Sequence, residues 1–112
     1  ELRDPSWVHD DVFALLEQHG AALCLHDLLP DHPFIRTADW TYVRFHGPDA
    51  VRRAYHGRYG PERLEPHARG LASWLDDGTD VYAYFNNDYE GHAVEDASWL
   101  AARLRRAPVG SE

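Results

Sequence analysis

The sequence predicts an α/β fold in which parallel strands are joined by crossover helices. Two observations carry this. Short β-branched and aromatic runs alternate along the chain with amphipathic stretches of helical period, and strand–helix–strand order is the order of a parallel sheet. Within two of the strand-like runs the residue types also alternate, as they do when the two faces of a sheet meet different surroundings. Three or four strands do not close a barrel of eight, which takes about 250 residues. The 112 residues therefore fit about half of a parallel β/α-barrel of the TIM-barrel type. A small open α/β sheet, complete at this length, is the alternative.

The elements follow in order. Residues 1–3 (Glu1, Leu2, Arg3) read as the end of a strand. Asp10 and Asp11 offer carboxylates to the start of a helix through Val12, Phe13, Leu15 and Leu16, and Gly20 stops it. Residues 21–26 are a short apolar run and 40–46 an alternating one. A second helix is expected between Pro61 and Asp76, ending at Gly78, with Leu64, Leu71, Trp74 and Leu75 on one face. Pro66 and Gly70 oppose it, because both disfavour helix interiors. Residues 81–85 form a β-branched and aromatic strand. A third helix runs from about His92 to Arg105. Its stripe is Ala93, Val94, Ala97, Leu100, Ala101 and Leu104, with arginines toward the negative end of its dipole. Residues 1–107 make one barrel half, and 108–112 a flexible tail.

Side-chain alternation assigns the strand faces. Tyr42, Arg44 and His46 share one face of their strand, and Tyr82, Tyr84 and Asn86 one face of the next. Val43 and Phe45, like Val81, Ala83 and Phe85, belong under helices. The polar sets then point into the barrel toward its mouth. An arginine there needs a carboxylate or an anion, since an unpaired buried charge is expensive. Glu1, Asp27 and Asp88 are the candidates.

Composition narrows the function classes. The formal net charge of -8 argues against a general nucleic-acid binder, because phosphate binding needs a basic face. No apolar run approaches the ~20 residues of a membrane span, so no membrane partner is expected. The single cysteine, Cys24, forms no internal disulfide, and its apolar surroundings favour burial over nucleophilic use. A reducing, cytoplasmic compartment is the expectation. The chain lacks methionine and opens on Glu1, which reads as a fragment. A half barrel exposes a strand edge, so self-association of the fragment is expected.

Four ordered motifs carry a family resemblance. Tyr42-Val43-Arg44-Phe45-His46-Gly47-Pro48 and Tyr55-His56-Gly57-Arg58-Tyr59 are two of them. The strongest is the run from Val81 to Asp88, with Phe85-Asn86-Asn87-Asp88, followed by Gly91-His92-Ala93. The last is Glu1-Leu2-Arg3 with Ser6-Trp7. Together these resemble the YecE-like domain-of-unknown-function family (DUF 72) over nearly the whole chain. The resemblance implies a TIM-barrel-like fold, with this stretch as its C-terminal half, and no assigned activity. Gly60 stands where that family's pattern leads us to expect a serine cap, and Pro66-His67 where it leads us to expect Trp-Ala.

Functional groups of β/α-barrels sit at the C-terminal strand ends. That rule gathers Glu1, Arg3, His26, Asp27, Arg44, His46, Asn86, Asn87, Asp88 and His92. Several are donors a divalent ion accepts. No compact ligand spacing is present, and we assign neither metal nor cofactor. Arg44, with Arg52, Arg53 and Arg58 in the following loop, suits phosphate or carboxylate. His46, beside Arg44, is the candidate base, with Asp88 or Glu1 as partner. Arg3, Arg44, Arg58, Tyr84, Asn86 and Asn87 are the candidate substrate-binding residues, with Asn87 also a turn former and Asp88 a helix cap. The leading reading is an enzyme acting by hydrolysis or transfer on a small anionic molecule. The alternative is a non-catalytic binding or scaffold protein. A nuclease would rest on fold analogy alone.

Overall fold

The computed structural model describes residues 1–105. The expected tail at 108–112, and residues 106–107 of the barrel half, lie outside the described residues.

Three parallel strands lie in the order β1 (Cys24–His26), β2 (Trp40–Phe45), β3 (Asp80–Phe85). Cys24 pairs with Tyr42 and His26 with Arg44; Trp40 pairs with Asp80 and Phe45 with Phe85. The helices are α1 (Asp10–Gln18), α2 (Gly60–Asp76) and α3 (His92–Leu104). This is the strand–helix alternation the sequence predicts, arranged as a partial parallel β/α-barrel. The slab measures 45 × 37 × 17 Å, and its short dimension is that of one sheet and one helix layer.

The face assignment of the strands agrees with the sequence reading. Val43 and Phe45 are buried with Leu64, Ala68, Leu71 and Leu100 from the helices. Val81, Ala83 and Phe85 pack against that core. Phe45 stacks on Phe85 at 4.6 Å and meets Tyr59 edge-on at 5.4 Å. On the opposite face Tyr42 stacks on Tyr84 at 5.0 Å and Trp40 meets Tyr82 at 6.2 Å. Tyr82 and Tyr84 are half exposed, at 48% and 49%.

Helix α2 runs through both residues that oppose it. Pro66 sits on its exposed side. Gly70 is explained by packing: a Cβ there would lie 2.8 Å from the Phe34 ring, which in turn stacks on Trp74 at 4.8 Å. The ring occupies the space that any larger residue at position 70 would fill.

The structure differs from the sequence reading in four places. Residues 1–3 form no ladder; the Leu2 carbonyl is instead held by the His26 ring, 2.7 Å from Nε2. β1 is half the expected length, because the Thr37 hydroxyl takes the place of a neighbouring strand for Ala21 and Leu23. It accepts the Leu23 N–H at 2.8 Å and donates to the Ala21 carbonyl at 2.7 Å. α1 is capped by the His9 ring, which accepts the Asp11 N–H at 3.2 Å, while Asp10 and Asp11 occupy its first turn. In α3, Val94 faces solvent and Asp96 is buried, so the apolar stripe carries a carboxylate.

Candidate functional site

The C-terminal ends of the strands bring Glu1, Arg44 and Asn86 into contact. Alternation puts Arg44 on the open face of β2, and the residue after β3, Asn86, follows it across the ladder. The Arg44 guanidinium donates to Glu1 Oε1 at 2.9 Å and, through Nε and Nη2, to Asn86 Oδ1 at 3.3 and 3.2 Å. Arg3 donates to Glu1 Oε2 at 2.6 Å. The Glu1 side chain is only 16% exposed. Burial raises its pKa, but the hydrogen bond from Arg3 and the charges of Arg44 and Arg3 outweigh this and hold the carboxyl below the usual carboxylate range. It is therefore ionised at neutral pH, and two guanidinium groups against one carboxylate leave net positive charge.

Beside this group lies a second, buried one. His46 is fully buried. Asp27 Oδ1 accepts the His46 backbone N–H at 2.8 Å and lies 3.3 Å from its Nδ1. A carboxylate only accepts, so this contact places the ring proton on Nδ1. The other Asp27 oxygen accepts a short hydrogen bond from the Tyr59 hydroxyl, which itself accepts the Gly47 N–H at 2.7 Å. Burial and the Asp27 charge push the Tyr59 phenol above its ordinary pKa, so it stays a donor. Burial lowers the His46 pKa more than Asp27 raises it, and Arg44 adds to the lowering. The ring is neutral at neutral pH, and Nε2 carries its lone pair.

His26 is differently placed. Its Nδ1 accepts the Leu28 N–H at 3.2 Å, so the proton is on Nε2 and is donated to Leu2. Both ring nitrogens are bonded to backbone. A cleft of about 80 Å³ is lined by His26, Asp27, His32 and Arg44 together with the apolar Leu25, Phe34, Val43 and Phe45. A larger hollow of about 600 Å³ lies at the other end of the sheet, between Asp39, Trp40 and Tyr82, away from the ionisable groups just described. Among the described residues no group of three or more His, Cys, Asp or Glu is gathered as for a metal ion.

The sequence-predicted residues divide accordingly. Glu1, Arg3, Arg44 and Asn86 meet, Tyr84 borders them across the ladder from Arg44, and His46 follows directly on β2. Asp88 is exposed and makes no side-chain capping bond; the carboxylate in contact with His46 is Asp27, which follows directly on β1. Arg58 turns toward α3 and pairs with Glu95 at 3.5 Å. Arg52 pairs with Asp49. Asn87 is fully buried, and its amide donates to the Gly57 carbonyl and to Asp96, both at 2.9 Å. Sequence reasoning does not single out Tyr59 or Asp96. Asp96 has a signal, an acid at a position the helical period reserves for apolar residues. Tyr59 has none beyond its place in a motif.

No helix among the described residues is long and apolar enough to cross a membrane. No curated protein matches the chain. Two solved structures do. One, a DUF72 family protein from Thermotoga maritima, is 27% identical with a TM-score of 0.82, over 95% of this chain and 45% of that one. The other, a DUF72 family protein from Enterococcus faecalis, is 19% identical with a TM-score of 0.77, over 96% and 46%, and shares the fold. The chain thus spans less than half the length of either. The family described as "Protein of unknown function DUF72" matches residues 1–111, and the chain belongs to it.

Proposed function

We propose that the chain supplies one wall of a binding site for a small anionic molecule, bearing phosphate or carboxylate, at the C-terminal ends of its strands. The observation that carries this is the sharing of Glu1 by Arg44 and Arg3. Arg44 is pinned by two acceptors and is pre-organised, whereas the Arg3 side chain is 58% exposed. An anion taken up by Arg3, or exchanged for Glu1, meets planar donors in a fixed fork. Asn86 fixes the plane of Arg44, and Tyr84 offers an aromatic wall. Tyr84, Asn86, Arg3 and Arg44 are the ligand contacts in this reading, with Glu1 as the counter-ion the ligand competes with.

The whole protein would then be an enzyme or a binding protein for such a molecule. The scaffold reading has its own support, because Glu1 and Asn86 already satisfy Arg44 as a structural ion pair would. Calorimetric titration of the full-length protein with inorganic phosphate, phosphate monoesters and short carboxylic acids tests the proposal. Binding to at least one class is expected, weakened tenfold or more in Arg44→Met. Binding unchanged by that substitution, or absent altogether, ends it.

A further inference from the structure

His46 Nε2 has no hydrogen-bond partner among the described residues although the side chain is fully buried. A buried polar atom left unpaired costs free energy, and such atoms call for an explanation. Its surroundings are built rather than accidental. Nδ1 is engaged by Asp27, Asp27 is braced by Tyr59, and Tyr59 is braced by the Gly47 backbone. That chain of contacts fixes the ring and leaves Nε2 as an acceptor. His46 and Arg44 stand two residues apart on β2 and its continuation, about 6–7 Å along the strand. The groups bearing charge toward the imidazole are Asp27, Glu1 and Arg44.

We propose that His46 Nε2 accepts a hydrogen bond from a ligand hydroxyl. The ligand of the site is accordingly a hydroxylated anion, a hydroxy acid or the phosphate ester of a polyol, with its anionic group on the arginines. This deepens the anion-binding reading and rests on it. Uptake displaces the cover over the ring. Part of that cover is the segment carrying Tyr55, whose ring centre lies 6.1 Å from that of His46. Tyr55 is held at φ 73, a left-handed conformation uncommon for such a residue, and its N–H donates to the His46 carbonyl at 2.5 Å. Strain of this kind concentrates where backbones switch.

The test uses the full-length protein and matched pairs of probes: glycerol 3-phosphate against propyl phosphate, and 3-hydroxybutyrate against butyrate. The proposal expects one hydroxylated member to bind about tenfold more tightly than its partner. His46→Phe should abolish that preference while retaining the weaker binding of the deoxy compound, and Arg44→Met should weaken both. Should His46→Phe not fold, nitrogen NMR of the wild-type imidazole replaces it. The Nε2 resonance should move on adding the hydroxylated probe and not the deoxy one. Equal binding within both pairs, a preference that survives His46→Phe, or an unmoved Nε2 overturns the inference. If both members of a pair bind equally and Arg44→Met abolishes both, the anion site stands and the role of His46 alone falls. If no probe binds the wild type, both fall together.

Discussion

Asp96 of α3 caps α2 from a distance: its carboxylate accepts the Tyr59 N–H at 2.9 Å and the Gly60 N–H at 3.0 Å. A helix normally finds such an acceptor in the residue before its first turn. Here that residue, Tyr59, makes no side-chain capping bond, and the acceptor comes from a residue 36 positions beyond Gly60. Asn87 adds a third donor to the same carboxylate. One buried acid therefore ties the ends of β3, α2 and α3 together, and it fixes the backbone that carries Tyr59.

Replacing Asp96 with alanine should cost about 3 kcal/mol or more, because it leaves two backbone N–H groups and the Asn87 amide without their acceptor. Urea unfolding of the wild type and variant measures this. Asp96→Asn, which keeps one accepting oxygen, should lose less. A midpoint unchanged in Asp96→Ala would remove the role assigned to the carboxylate.

Gly70→Ala is expected to destabilise despite the better helix propensity of alanine. Propensity favours the change by about 1 kcal/mol, whereas forcing a methyl group into the Phe34 ring costs about 1–3 kcal/mol. The double variant with Phe34→Leu should recover part of the loss. Thermal melts of the two single variants and the double variant separate packing from propensity; a stabilised Gly70→Ala would refute the packing account.

Stability should fall as the solution is acidified below about pH 6.5, the ordinary histidine value. Burial lowers the pKa of His32, His46 and His67 in the folded chain, the last of them packed against the Phe34 and Phe45 rings. The unfolded chain therefore binds more protons than the folded one just below that pH. Their contribution is fully present above about pH 6.5 and is lost as pH falls toward the lowered folded values. Glu1 behaves oppositely to a histidine in charge but alike in direction: its lowered pKa contributes stability that disappears only below the ordinary carboxylate range of about 4.3. Melting temperatures measured from about pH 8 down to about pH 3 should show both windows. His67→Leu should make the upper one shallower and leave the lower one in place.

Cys24 should be slow to alkylate in the folded chain. Burial first, and then the Glu1 charge, push its thiol up to about 11 from 9.0, which cuts the thiolate fraction near neutral pH roughly 100-fold. Iodoacetamide labelling followed by mass spectrometry, with and without urea, reads the difference. Equal rates in the two states would contradict the burial of the thiol.

The alternation of strands and helices was legible because residue period reports directly on which face is covered. Tyr42 against Val43, and Tyr84 against Phe85, declare the two faces of the sheet without any knowledge of the rest of the chain. The pairing of Arg44 with Glu1 was legible as a need for an acid, and Asn86 as its neighbour on the same face. The contacts of His46 were not. Asp27 approaches it from 19 residues before, and Tyr59, 13 residues after His46, braces Asp27; nothing in local spacing reports a contact made through tertiary packing. Val94 and Asp96 show the same limit within one helix, since period marks a stripe but not its edge. Residues 1–3 misled because a side chain, not a strand, holds their backbone.

The His26 ring, bonded through both nitrogens to backbone, has an effect on the charge of the mouth that its own chemistry does not suggest. By gripping the Leu2 carbonyl it helps hold the preceding residue, Glu1, against Arg44. A ring bonded through both nitrogens to backbone thus governs how positive its surroundings are. Loosening that grip would free the Leu2 carbonyl and weaken the hold on Glu1, leaving Arg44 more dependent on the Asn86 amide.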